Sequence, residues 1–397
     1  MKRSAVRRKR VLTIADHLGS IGGTEAGQLA IFRGLAERGW EVHLLYVTRG
    51  DFWPAWKELA TTTTQIGASL PSSASPLTSS ISSIDGAVKG MRASPSVIYV
   101  HNAGDVPIAL AVGARTGARV VMHLHLPPPI RQPSWLNALM RRSTAAIAPS
   151  VDTANRWISR AGLDPARLSV IPTGIDIGRF VPLPREERMA VRASVDVGED
   201  ESMVIFAGRL ERMKGPHFLV DAVGRLDANV HLVLCGAAKS PAYLRELESL
   251  AQGHRVSFLG RRSDVPALMA AAEISVLPSV FLETQGLVIS ESMACETPVV
   301  ASEIGGLGAT MAGFPEQLVP PGDPVRLAAA IKKYVNWRHT EPDLGPRSRA
   351  WVLEHMRFSR TIGGVDEVIT GAAWSVDPQR LQQVKEPSEH NRRLWQP

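Results

Sequence analysis

Residues Pro278 to Gly306 read PSVFLETQGLVISESMACETPVVASEIGG. The apolar run Ile274 to Leu277 stops at Pro278, as a buried strand does at its carboxyl end. A polar loop carrying Glu283 follows. From Gly286 the spacing of Leu287, Ile289 and Met293–Ala294 is helical, and Pro298 opens a second apolar run, Val299 to Ala301. Strand, loop, helix and strand make a βαβ unit whose loop lies at the carboxyl end of a strand, where open α/β sheets bind ligands. The amides of Gly286 and Leu287 would sit at a helix N-terminus, which favours an anion. Glu283 precedes that helix and Glu291 lies inside it. Two carboxylates repel an anion unless cations stand beside them. Arg209 and Lys214 supply those cations.

The same rhythm extends both ways. SMVIFAGRL, VHLVLCG, RVSFLG, ISVLPS and PVVAS alternate with helical stretches at 215–226, 241–252, 264–272 and 286–295. Helices between apolar strands predict parallel crossovers and a doubly wound sheet. The first half does likewise. A strand is expected at Val11–Ala15, then the loop DHLGSIGGTE, a helix Ala26–Arg38 and a strand EVHLLYV at 41–47. Gly22 and Gly23 stand at a helix start, where backbone can approach a ligand closely. Residues 61–83, rich in Ser, Thr and Pro, read as a loop inside the first domain. SVIYVHN at 96–102 and ARVVMHLHL at 118–126 are further strands, the second ending in His123 and His125. Two histidines at i, i+2 on a strand point the same way, so a metal site is weighed. With no third ligand at a recognisable spacing, no metal is expected.

At 397 residues the chain suits two domains of ~150–200 residues. Its 44% hydrophobic and 21% charged residues are those of an ordinary globular protein. Cys235 and Cys295 lie in apolar or helical contexts and read as reduced core residues, which fits the cytoplasm. No apolar run reaches ~18 residues. Six of the first ten residues are Lys or Arg. That stretch reads as a solvated tail, or as a means of peripheral contact with an anionic membrane at the inner face. Nucleic acid is not expected, because no recognition module accompanies the charge. The chain contains no D-x-D, P-loop or Ser-His-Asp order, and GSIGGTE is not the dinucleotide fingerprint G-x-G-x-x-G.

The pattern PS–x3–E–x2–G–x4–E–xMAxxxPVV, preceded by AGRLERMKG at 207–215, resembles glycosyltransferase family 4 over roughly residues 11–372. The resemblance implies the GT-B fold, in which two Rossmann-like doubly wound domains face a cleft and a C-terminal helix crosses back to the first. It divides the chain into a basic tail 1–10, an acceptor domain 11–175, a linker 176–200, a donor domain 201–357, a crossover helix 358–375 and a tail 376–397. It implies a retaining, metal-independent transfer of sugar from a nucleotide to a hydroxyl-bearing glycan or lipid-linked acceptor, with no cofactor. Arg209 and Lys214 would hold the diphosphate, together with Gly286 and Leu287. Glu291 would take the ribose, and Glu283 and His125 the donor sugar, with Gly236 and Arg261 beside the nucleotide. Gly22, Gly23, Glu25 and His101 would line the acceptor side. The chain departs from the pattern in three places. Thr173 replaces an Asn, the loop after VHLVLCG reads Gly236-Ala237-Ala238, and GGLGA at 305–309 lacks a Glu. A second reading is a noncatalytic sugar-nucleotide-binding scaffold in a cell-surface biosynthesis complex. Joint presence of Glu283, Glu291, Arg209, Lys214 and His125 favours the enzyme.

Overall fold

Thirteen strands, β1 to β13, form two sheets in a computed structural model that describes residues 9–19, 23–67, 94–227 and 229–374. Gly22, residues 1–8 of the basic tail, 68–83 of the Ser/Thr-rich stretch and the tail from 376 lie outside the described residues. The chain divides into one compact unit of Met1–Pro172 with Thr361–Pro397 and a second of Thr173–Arg360.

The first unit holds β1 (Arg10–Leu18), β2 (Glu41–Arg49), β3 (Thr62–Gln65), β4 (Val97–Val100), β5 (Arg119–His123), β6 (Ala145–Ala148) and β7 (Leu168–Val170). They lie in the order β3-β2-β1-β4-β5-β6-β7, and every pairing is parallel. Parallel sheets are covered on both faces, so their central strands are continuous apolar runs rather than alternating ones. VIYV of β4 and AAIA of β6 are accordingly buried at every position. One face packs Leu12, Ile98, Val120 and Met122 against Val106, Ala109 and Val112 of the helix Val106–Thr116. On another side Phe32 sits 5.5 Å from Trp56 and 5.6 Å from Tyr99, ring centre to ring centre.

The structure differs from the sequence reading at three strands. β1 runs to Leu18 because His17 and Leu18 keep pairing with Thr48 and Arg49 beyond the apolar run. TTTQ, read as loop, is the edge strand β3. β-Branched threonines suit a pleated edge, and Thr62 is bonded to His43 at 2.8 Å. β5 ends at His123, so His125 lies past the strand rather than within it.

The second unit holds β8 (Ser202–Ala207), β9 (Val230–Cys235), β10 (Val256–Gly260), β11 (Ile274–Leu277), β12 (Val299–Ser302) and β13 (Leu318–Val319), in the order β10-β9-β8-β11-β12-β13. Cys235 and Cys295 are buried and free. Residues 176–200, read as a linker, belong to this unit and carry the helix Arg185–Ala193. There Arg192 is buried and pairs with Glu273 at 2.6 Å, a tie that composition could not announce. The helix Phe358–Trp374 belongs to the first unit from Thr361 onward. Trp40 donates its indole N–H to Asp366 at 2.7 Å, and Gly34 faces Ile362 so closely that a Cβ would come within 2.7 Å of it.

Candidate functional site

In the second sheet the chain order reverses between β8 and β11, which are hydrogen-bonded neighbours. Such a switch point opens a crevice at the carboxyl ends of the two strands. The loops leaving those ends are Gly208–Gly215 and Pro278–Gly286, and they carry Arg209, Lys214 and Glu283. Two glycines allow the loops to interlock. At Gly215, with φ of 71°, a Cβ would lie 2.0 Å from the carbonyl oxygen of Pro278. At Gly305, with φ of 59°, a Cβ would lie 2.3 Å from the carbonyl oxygen of Glu283. The amide of Gly306 donates to that same carbonyl at 2.8 Å, and the amide of Val280 to the Met213 carbonyl at 3.0 Å.

This packing joins Lys214 to Glu283 at 2.6 Å, and the Ser279 hydroxyl donates to the same carboxylate oxygen at 2.6 Å. Charge-assisted bonds of this length fix a carboxylate in place. Arg209 is exposed and pairs with the buried Glu211 at 2.9 Å. Each expected cation therefore already has a carboxylate partner within the protein.

Gly286 caps the helix Leu287–Ala294 in a left-handed conformation, and a side chain there would meet Leu307 at 2.5 Å. Glu291 lies within that helix. Burial pushes its carboxyl up to about 7, against a smaller pull from Arg179. Among the described residues its carboxylate has no hydrogen-bond or ion-pair partner.

Gly236 has φ of 155°, and a Cβ on it would lie 1.8 Å from the Gly208 carbonyl oxygen. Its missing side chain serves the approach of its own chain. Arg261 is exposed, just past β10.

The first unit gathers three histidines. His101 and His123 are buried and His125 is part-buried, with one nitrogen from each within 4.8 Å of the others. Nδ1 of His101 and Nε2 of His125 lie 2.8 Å apart. The His123 ring stacks on His125 at 3.8 Å, and its Nδ1 meets the Tyr99 hydroxyl at 2.5 Å. Burial depresses all three rings, His125 to about 4, so all are neutral near pH 7. His101 is thus the third partner that spacing does not disclose, because it lies 24 residues from His125, just past the end of β4.

His101, an acceptor-side candidate, is 5% exposed and bonded to His125. Three imidazoles are a familiar zinc set; as they stand, His101 is bonded to His125 and His123 to Tyr99.

Glu25, in the first turn of the helix Gly23–Glu37, has a buried carboxylate oxygen without a hydrogen-bond partner. His17, near the end of β1, likewise has an unpartnered buried Nδ1. His17 lies beyond the apolar run Val11–Ala15, so no apolar pattern marks it.

Two all-parallel sheets, each with an order reversal and helices between strands, define a pair of Rossmann-like domains, the GT-B architecture of sugar transferases. Solved structures share the fold. Anabaena Alr3699/HepE in complex with UDP and glucose aligns with a TM-score of 0.77 at 23% identity, over 91% of this chain and 100% of that one. A glycosyltransferase from Rickettsia africae gives 0.80 at 18% identity, over 92% and 99%. Residues 21–179 match the model for Glycosyltransferase Family 4 and residues 201–336 that for Glycosyl transferases group 1. The chain belongs to glycosyltransferase family 4. The D-inositol 3-phosphate glycosyltransferase of Geodermatophilus obscurus is 31% identical over 298 residues, 70% of this chain and 62% of that protein. The Mycobacterium bovis protein of the same name is 36% identical over 164 residues, 39% and 33% of the two chains. The matched part is thus under two thirds of either relative's length.

Proposed function

We propose that the protein transfers a sugar, with retention of anomeric configuration, from a nucleoside diphosphate sugar to a hydroxyl on a glycan or lipid-linked acceptor. The observation that carries this reading is the convergence of Arg209, Lys214, Glu283 and the helix led by Gly286 at the switch of the second sheet. A departing diphosphate gathers negative charge as its bond to the sugar breaks. Arg209 offers a fork of donors, Lys214 a mobile point charge and the helix its N-terminal amides, so charge can be met by groups already in place. Lys214 would exchange part of its bond to Glu283 for phosphate oxygen. Glu283, held by Ser279, would then face the sugar, where positive charge develops. Glu291 would take the ribose hydroxyls and His125 the sugar. The Anabaena fold relative, solved in complex with UDP and glucose, supports a nucleotide sugar as donor. The relatives' names make a phosphorylated polyol one acceptor to try. No metal is needed in this scheme.

No helix among the described residues is long and apolar enough to cross a membrane. Peripheral contact with an anionic surface is supported by exposed Leu126, Ile130 and Trp135 beside Arg131, at 62, 81 and 50% exposure for the three apolar residues.

The test is a thermal-shift screen of the full chain against UDP-, GDP- and ADP-sugars, followed by turnover with the donor that binds. A ligand that binds only the folded state raises its apparent stability. The reading expects a clear shift with one base and release of that nucleoside diphosphate when acceptor is added. A shift without turnover on any acceptor would favour the scaffold reading. No shift with any nucleotide sugar would defeat both.

A further inference from the structure

We propose that His101 is a positioning residue that fixes the tautomer and ring plane of His125. His125 then presents a hydrogen-bond donor, its Nδ1–H, to an oxygen of the sugar or phosphate. The inference rests on the reading that His125 faces the donor sugar.

The 2.8 Å contact between His101 Nδ1 and His125 Nε2 joins two nitrogens of rings whose planes lie 9° apart, with ring centres 5.0 Å apart. Neutral imidazole carries one N–H and one bare nitrogen, so one ring must donate and the other accept. The surroundings of His101 choose between them. Its other nitrogen, Nε2, is buried with no hydrogen-bond partner, and two aromatic rings pack steeply against it, Tyr99 at 4.9 Å and Phe32 at 5.8 Å between ring centres.

If His125 donated, the proton of His101 would sit on that Nε2 as a buried, orphaned N–H. Orphaned donors are rarer in native structures than under-used acceptors. His101 therefore carries its proton on Nδ1 and donates. His125 Nε2 accepts, which puts the proton of His125 on Nδ1. Its ring cannot readily turn, because His123 stacks on it at 3.8 Å and 28°. Of the three rings, His125 alone is not fully buried, so its free edge is the one a ligand can reach.

The test uses three variants of the full chain. His101→Asn keeps an amide N–H near the place of Nδ1–H. His101→Leu removes the donor. His125→Gln identifies the His125 signals and tests its role. Long-range proton–nitrogen correlation spectra of histidine-labelled protein read the tautomers directly and without turnover. We expect the Nδ1–H form of His125 in the wild type and in His101→Asn, and a mixture of forms in His101→Leu. In turnover, His101→Leu should lower kcat about tenfold with donor KM within about threefold, and His101→Asn should recover most of the loss, as expected for misplacement of a group that meets the substrate.

An Nε2–H form of His125 in the wild type would overturn the proposal. So would failure of His101→Asn to outperform a folded His101→Leu. If His125→Gln turns over like the wild type while the tautomer pattern holds, it is the assignment of His125 to the sugar that fails.

Discussion

Glu291 is the residue whose burial most needs explaining. A carboxyl raised from 4.5 to about 7 binds a proton more tightly folded than unfolded. Stability therefore falls as pH rises from about 4.5 to about 7, and the full cost is present above that. The shift, from 4.5 to about 7, corresponds to an upper figure of about 3 kcal/mol. Glu291→Gln should accordingly raise the melting temperature of the ligand-free protein at pH 8 and leave it nearly unchanged at pH 4.5. Thermal melts across that range check this, and an equal effect at both pH values would contradict it. A buried carboxylate that costs stability is suited to a ligand that supplies hydrogen-bond partners, which on the proposed reading would be vicinal ribose hydroxyls. Those hydroxyls are present in the substrate and in the leaving nucleotide alike, so their contact is uniform binding. Glu291→Ala should raise donor KM with little change in kcat. Glu283 differs, since on the proposed reading it would meet the sugar where charge develops. Glu283→Gln should lower kcat by ~10²-fold. Steady-state kinetics separate the two, and a Glu283→Gln variant that loses only KM would reverse the assignment.

At the scale of elements, glycines decide where the site residues stand. Gly215 and Gly39 both have positive φ, 71° and 85°, yet only Gly215 has a neighbour in the way. Gly39→Ala should cost about 1 kcal/mol, from backbone strain alone. Gly215→Ala must also push the Pro278 carbonyl aside, so it should cost about 2 kcal/mol or more and weaken nucleotide binding through Lys214. Denaturant melts of both variants test the contrast, and equal losses would show that the loop contact contributes nothing. Such contacts mark what the sequence could and could not tell. The strand, loop and helix of 274–294 were legible because apolar runs, Pro278 and Gly286 each constrain the backbone locally. The pairing of Lys214 with Glu283, 69 residues apart, was not, because two neighbouring strand ends make it. The edge strand Thr62–Gln65 was missed since half-exposed threonines carry no apolar period. The helix Arg185–Ala193 was missed because its charged surface hides the buried Arg192.

At the scale of the whole molecule the formal charge is +7, and exposed apolar side chains at Leu126, Ile130 and Trp135 accompany Arg131. Basic residues near an anionic surface contribute about 1 kcal/mol each, and aromatic residues anchor at the interface. Replacing Ile130 and Trp135 by Ser should reduce sedimentation with vesicles of anionic lipid at low salt, as should deleting residues 1–8. Unchanged sedimentation in both would remove the membrane from the account. The central claim concerns the second unit, where two cations and a helix N-terminus at the switch of its sheet receive a nucleoside diphosphate without metal. The most direct measurement is calorimetric titration, in EDTA, of the wild type and of the Arg209→Ala/Lys214→Ala double variant with the nucleoside diphosphate of the best-binding donor. The account predicts binding to the wild type in EDTA and at least ~10²-fold weaker binding to the double variant, for loss of two charge-assisted contacts. Equal affinity of the two proteins, or wild-type binding that appears only when Mg²⁺ is restored, would contradict it.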